Sequence, residues 1–266
     1  MDNSNITMLI LSCDKFSDLW DGHIELLEKN WGDREMATYI VTDAPNGKEY
    51  THAKVFSAGA EREWTERLKY ILNQLDTEYI FVTLDDYYLI EKINNTQMSD
   101  LFKLVSDEGL DYLRLFPNPT RATREEIKPN TQVCRIDTNH PYSVNLYTGI
   151  WKKNFLIYTL SDAMDVWHYE FSLSKRAIEY NAKCAVSLNN EFVILDVVRK
   201  GKLLRKAAKY LKKHGLYYGD RAVCSFAYEL RLCIQTIMSR HLPQSLKKII
   251  KSVLNKCGFY FYSTNK

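Results

Sequence analysis

The chain has little of what marks several protein classes. Glycine (10) and proline (6) are scarce among 266 residues and no low-complexity tract occurs, which argues against collagenous, linker-rich or disordered organisation. The six cysteines, at 13, 134, 184, 224, 233 and 257, include no C-x-x-C pair, so a zinc site is not expected and a reducing, cytoplasmic setting is the default. No run of about 18 apolar residues is present, so no membrane-spanning helix is expected. The opening MDNSNITMLILSC carries an acid near its start and only a short apolar run, unlike a signal peptide. G-x-S-x-G, P-loop and G-x-G-x-x-G motifs are missing, and with them the chemistries those motifs serve.

What is present is globular: 45% hydrophobic, 13% aromatic with 18 Tyr, and 26% charged residues. The net charge of +3 conceals a division. From Arg199 to Lys266 there are 16 Lys and Arg against two acids, Asp220 and Glu229, whereas the preceding residues hold 20 basic and 31 acidic ones. An acidic front and a basic rear predict two regions, 1–200 and 201–266.

Apolar runs predict strands at Ile6–Leu11 (ITMLIL), 37–43, 53–59 and 78–84 (EYIFVTL), the last of the kind buried inside a covered parallel sheet. FSDLWDGHIELLEKNW carries Leu19, Trp20, Ile24, Leu27 and Trp31 at helical spacing. Over 61–75, Trp64, Leu68, Ile71, Leu72 and Leu75 share one helical face. Further helices are expected near 96–108, 152–161 and 169–181, and strands at 111–116, 142–151, 184–188 and 192–197. The polar, three-proline stretch PNPTRATREEIKPNTQ (117–132) reads as a lid or binding loop. This alternation predicts an α/β three-layer sandwich with a mostly parallel sheet, followed by a basic, helical C-terminal extension.

In such sheets ligands bind beyond the carboxyl ends of the strands. Three ends are polar here: Ser12 and Asp14, Thr42 and Asp43, and Asp85 and Asp86 within TLDDYYLI (83–90). Adjacent carboxylates repel one another unless a cation joins them. Mg²⁺ or Mn²⁺ takes oxygen ligands and shares them with substrate phosphates, so Asp85 and Asp86 are candidate metal ligands at a diphosphate site. A solvated turn is the plainer alternative. Arg67 either reaches a diphosphate or belongs to the solvated face of its helix. Arg114, inside a strand, needs a partner, either Asp85 or a phosphate. Tyr142 and Asn145 either line an acceptor site or pack in the core, and His168 is a second acid/base candidate or a structural histidine.

Four segments together carry a family likeness: ILSCDKFSDLWD (10–21), WTERL through LDDYYL (64–89), YSVNLYTGIWKKNFL (142–156) and VWHYEFSLSKRA (166–177). Over about residues 6–200 the chain resembles GT-A-type, nucleotide-diphospho-sugar-dependent glycosyltransferases, more narrowly the bacterial enzymes of capsule and O-antigen polysaccharide gene clusters. The resemblance implies that Ser12 and Asp14 contact the nucleotide, that Asp85 faces the ribose or the metal, and that Asp86 ligates Mn²⁺ or Mg²⁺ directly. The acidic motif is DD followed by Tyr, a departure from D-x-D, and some relatives of the fold work without a metal. An inverting enzyme also needs a base. The resemblance places it at Glu170, at the start of a late helix whose N-terminus would favour its charge, with Trp167 as an apolar wall or a surface for a sugar ring and Asp165 as the alternate base. It further implies a sugar-nucleotide donor and a glycan acceptor carried on polyprenyl diphosphate.

In the rear, 199–213 places Leu203, Leu204, Ala207, Ala208 and Leu211 on one face among Lys and Arg, and 242–258 repeats the pattern. Basic amphipathic helices followed by the aromatic GFYFYSTNK suit an anionic membrane surface, here the inner face of the cytoplasmic membrane. A helical cap packed on the front region is the alternative. Nucleic acid is not expected, because the interleaving residues are aliphatic. Two rival functions stay open: a nucleotidyltransferase, against which SCDKFSDLW lacks the Gly-rich loop after the first strand, and a non-catalytic membrane-binding module.

Overall fold

A computed structural model describes residues 5–117, 122–216 and 219–241, without side chains at 124 and 235–241. Strand β1 (Ile6–Leu11) pairs in parallel with β2 (Ala37–Thr42) and β4 (Tyr79–Leu84), and β3 (Lys54–Ser57) lies beyond β2. The sheet continues through β9 (Gly149–Lys152), β6 (Tyr112–Arg114), β10 (Cys184–Ser187), β8 (Val133–Ile136) and β7 (Ala122–Glu126), giving the order 3-2-1-4-9-6-10-8-7. Only β8 and β9 run against the other seven.

Alternation along the strands explains the layers. Ile6, Met8 and Ile10 of β1, with Tyr79 and Phe81 of β4, meet Trp20, Ile24, Leu27 and Trp31 of α1 (Trp20–Trp31) and Met98 and Phe102 of α3 (Asn95–Asp107). Leu9, Leu11, Ile80 and Val82 point the other way. They meet Leu68, Ile71 and Leu72 of α2 (Trp64–Leu72), Phe155 and Leu156 of α4 (Lys153–Thr159), and Tyr169 and Leu173 of α5 (Val166–Tyr180). Strands buried on both faces and helices on both sides form the three-layer α/β sandwich.

Two local expectations are corrected. Part of the 117–132 loop is a sheet edge: β7 and β8 form an antiparallel pair beside β10, and Arg135 bonds Glu125 across it at 3.1 and 3.2 Å. The 142–151 strand is regular only from Gly149, and 142–148 is irregular, with Tyr142 at a left-handed φ of 61°.

After β10 the chain returns to the site. Strand β11 (Ile194–Asp196) pairs antiparallel with β5 (Tyr87–Leu89), which directly follows Asp86. A hairpin of β12 (Val198–Arg199) and β13 (Lys202–Leu203) leads into α6 (Arg205–His214), and α7 (Phe226–His241) follows. A third cluster joins Leu203, Ala207, Leu211 and Leu216 to Leu19, Leu26, Tyr88 and Leu195. The apolar face of α6 is therefore used internally, as in the alternative of a helical cap packed on the front region. The helix expected at 242–258 and the aromatic tail lie outside the described residues. Among the described residues no helix is long and apolar enough to cross a membrane.

Candidate active site

The parallel pairing of β1, β2 and β4 brings their carboxyl ends to one edge. Ser12 N–H bonds the Val41 carbonyl at 2.9 Å and Asp85 N–H bonds the Leu11 carbonyl at 3.2 Å, so the three polar ends lie side by side. At the β2 end, Asp43 Oδ1 accepts from the N–H groups of Asp14 (2.7 Å) and Ala44 (3.1 Å) and from the Thr42 hydroxyl (3.2 Å). Burial opposes the Asp43 charge, but these bonds and nearby Arg67 prevail and hold its carboxyl below the usual range. Arg67 thus faces the crevice electrostatically, while its Nη1 donates to the Arg62 carbonyl at 3.0 Å.

Asp85 is only 8% exposed. The Trp20 indole N–H can only donate, and it donates to Ser12 Oγ at 2.7 Å. Ser12 in turn donates to Asp85 Oδ2. Ser12, expected at the nucleotide, orients Asp85 from this strand end. His23 Nδ1 donates to the Asp85 carbonyl at 3.2 Å, and burial keeps that imidazole neutral, with its pKa lowered to about 4. Burial pushes the Asp85 carboxyl up to about 7, against the Ser12 bond and the Arg221 charge.

Asp86 has its carbonyl bonded by Val197 N–H at 2.9 Å. Burial, then the charges of Asp85 and Asp196, raise its carboxyl well above the ordinary range, with Arg199 opposing. Asp196 and Arg199 form an ion pair at 2.5 Å, and Asp196 Oδ1 is buried with no hydrogen-bond partner. Neither residue is singled out by sequence. They reach the site because β11 pairs with β5, setting Asp196 opposite Tyr87.

Glu170 lies in the second turn of α5, not its first. The helix is capped by Asp165, whose Oδ1 accepts from Trp167 N–H (2.9 Å) and His168 N–H (3.0 Å), and whose Oδ2 lies 2.6 Å from His168 Nδ1. Asp165 and His168 are thus engaged with one another at the helix start. Glu170 Oε1 instead accepts from Leu146 N–H at 3.3 Å, and burial raises its carboxyl despite that bond and the Arg199 charge. Tyr147 stacks on Tyr87 with centroids 5.9 Å apart and senses Glu170, Asp196 and Arg199 together. Asp86 and Glu170 therefore both face the charge of Arg199.

Two expected substrate contacts are internal. Arg114 is 0% exposed and donates to the carbonyls of Phe116 (2.9 Å) and Ser143 (3.1 Å), so a phosphate cannot reach it in this conformation. Asn145 is buried and holds its own loop, donating to the Tyr142 carbonyl at 2.9 Å and accepting from Tyr147 N–H at 3.1 Å. Trp167, by contrast, is 75% exposed, with Phe171 also exposed and packed on Tyr142 at a ring distance of 6.0 Å. Instead of an enclosed wall, these rings form an open aromatic surface beside Glu170.

A divalent ion can be tested against these residues. Among the described residues no group of three or more His, Cys, Asp and Glu has the geometry to hold a metal alone. Mg²⁺, however, commonly takes one or two carboxylates and completes its shell with water and substrate phosphate. Carboxylates whose charge is disfavoured, beside a buried oxygen without a partner, fit a hard cation held by Asp86 and Asp85.

No family model and no curated protein matches the chain. Among solved structures it is similar to S. aureus TarS, at 13% identity and a TM-score of 0.44 over 97% of this chain and 44% of that one. A 1–349 form of the same protein matches at 15% and 0.44, over 98% and 73%. A cytidylyltransferase from Leptospira borgpetersenii matches at 12% and 0.43, over 84% of this chain and 100% of that one. The chain spans less than half the length of the longer TarS chain.

Proposed function

We propose that the protein is an inverting glycosyltransferase. It moves a sugar from a nucleotide-diphosphate sugar to a hydroxyl of a glycan acceptor in surface-polysaccharide synthesis of the capsule or O-antigen kind. One observation carries this reading: Glu170 accepts from Leu146 N–H, and the next residue, Tyr147, stacks on Tyr87, the residue after Asp86, so the two acids, remote in sequence, are brought to one side of the crevice.

The nucleotide lies against the turn after β1 and the Asp43 end of β2, and the diphosphate points toward Asp86. Asp86 and Asp85 would hold Mn²⁺ or Mg²⁺, which when bound supplies Lewis-acid stabilisation of the departing diphosphate. Glu170, raised by burial against the Leu146 amide bond and the Arg199 charge, is more basic than an ordinary carboxylate, as suits a general base. It takes the proton of the acceptor hydroxyl. The acceptor oxygen bonds to the anomeric carbon from the side opposite the leaving group, while the bond from that carbon to the diphosphate oxygen breaks and its electron pair leaves with the diphosphate. Trp167, Phe171 and Tyr142 offer rings on which an acceptor sugar stacks. A polyprenyl-diphosphate-linked acceptor would place the enzyme on the inner face of the cytoplasmic membrane, where the exposed lysines of α6 and the basic residues beyond it meet anionic headgroups.

A thermal-shift screen of sugar nucleotides and nucleoside triphosphates, with and without Mn²⁺, tests the reading. Stabilisation by one sugar-nucleotide class that needs metal and disappears in Asp86→Ala is expected. Stabilisation by a triphosphate alone would favour nucleotidyl transfer, and no shift with any nucleotide would sink both.

A further inference from the structure

The segment after α6 supplies no group to the transfer step above, yet it lies against the turn that follows β1. It is anchored on the β12–β13 hairpin, where Leu203 N–H bonds the Ala222 carbonyl at 2.9 Å and Cys224 N–H bonds the Leu203 carbonyl at 2.7 Å. From there Arg221 reaches the 3₁₀ turn Asp14–Leu19 that follows β1. Its guanidinium grips both oxygens of Asp18, Nε to Oδ2 and Nη2 to Oδ1, each at 2.6 Å. Nη2 also donates to the Lys15 carbonyl at 3.1 Å, and Nη1 to the Gly201 carbonyl at 3.3 Å. The same group lies over the Phe16 ring, 4.5 Å from its centroid. A planar fork with two parallel bonds and a ring contact is a geometry that arginine provides and lysine does not.

The approach is close. Gly219 has a φ of 67°, and a Cβ there would fall 2.5 Å from Asp18 Oδ2. The gripped turn is otherwise tied at its start, by Asp14 N–H to Asp43 Oδ1 at 2.7 Å and Phe16 N–H to the Cys13 carbonyl at 2.9 Å, and by Lys48 Nζ to the Ser17 carbonyl at 3.0 Å. It also leads into two groups that set the acid pair. Leu19 accepts from the Tyr88 hydroxyl at 2.6 Å, and Trp20 begins the chain of bonds through Ser12 to Asp85.

We propose that Arg221 is a positioning residue for the donor site, the 219–224 strap clamping the Asp14–Leu19 turn in the shape that receives a nucleoside diphosphate. The clamp stands on the contacts above, and its consequence for the donor rests on the transferase reading. A turn ordered only part of the time binds with an affinity reduced by that fraction, so loosening it raises the apparent dissociation constant without touching the chemical step.

The test uses the full chain as wild type, Arg221→Lys, Asp18→Asn, Gly219→Ala and the exchanged pair Asp18→Arg/Arg221→Asp. Arg221→Lys keeps charge and stem, so it removes the fork without emptying the site, and Gly219→Ala displaces Asp18 with Arg221 intact. Amide hydrogen exchange is followed across 14–19, and UDP, GDP, CDP and dTDP are titrated with Mn²⁺. We expect exchange at 14–19 to quicken in the three single variants, diphosphate affinity to weaken about five- to ten-fold, and the exchanged pair to recover part of both. In turnover, KM for the donor rises while kcat stays within about two-fold. Unchanged exchange at 14–19 in folded variants overturns the clamp, as does a lower melting temperature with unaltered diphosphate affinity. If no diphosphate binds the wild type, the transferase reading and the donor consequence fail together, and the exchange data alone judge the clamp.

Discussion

A carboxylate inside a protein keeps its charge only where donors or cations meet it, and the acids of this site divide on that criterion. Asp43 accepts from two backbone amides and a hydroxyl and is held low, whereas Glu170 has one amide at 3.3 Å and is pushed up by burial. For Glu170 the sign is direct. Its folded-state pKa lies above the unfolded value, so the folded state binds the proton more tightly and stability from this group falls as pH rises from about 4.5 through the raised value. In the proposed role of base it must be ionised, so kcat/KM should climb with pH along an acid limb displaced above the usual carboxylate range. Glu170→Gln is expected to lower kcat by about 10²–10⁴ and abolish that limb while nucleotide binding persists. A rate within a few-fold of wild type would remove Glu170 from the role. The residue type and helix were legible in VWHYEF, but the position within the helix was not. Asp165 caps α5, which puts Glu170 in the second turn, and the missing stabilisation by free helix amides is what leaves burial dominant.

At the scale of elements, strands buried on both faces were readable because a run such as ITMLIL has one interpretation in a covered sheet. The β7–β8 edge was not, since ATREE is too polar to signal a strand and is held by cross-strand pairing with its partner. The start of α5 offers a discriminating experiment. Asp165 is committed to two amides and to His168, so Asp165→Ala should lower the melting temperature modestly and leave kcat within about three-fold of wild type, against the far larger loss expected for a general base. Activity and melting scans on the two variants, Asp165→Ala and Glu170→Gln, separate a cap from a base.

For the whole molecule, the acidic front and basic rear are joined through a shared core. Leu203, Leu211 and Leu216 are buried against residues of the front, each contributing about 1.5–3 kcal/mol from apolar burial, set against a total stability of about 5–15 kcal/mol for a domain. A chain ended after residue 200 should therefore unfold at a clearly lower denaturant concentration. An unchanged midpoint would show that the rear is dispensable to the front. With the apolar face of α6 turned inward, membrane contact through this helix would be electrostatic. Replacing Lys206, Lys209, Lys212 and Lys213 by Glu should reduce flotation with anionic vesicles by about 1 kcal/mol per charge at low salt and leave neutral vesicles unaffected. Equal flotation would confine any membrane contact to residues beyond α6.

By itself the sequence determined the layered α/β architecture and the polar ends of β1, β2 and β4, because apolar periodicity and strand-end chemistry are local and repeat every two or 3.6 residues. Only tertiary structure decided what those ends do. It turned Ser12 onto Asp85, buried Arg114, brought Asp196 and Arg199 beside Asp86, and folded Arg221 back over the turn at Asp18. These are contacts between residues far apart in the chain, set by strand pairing and by the return of the C-terminal segment. No spacing within a short motif encodes a partner found a hundred or more residues away, such as Asp18 for Arg221.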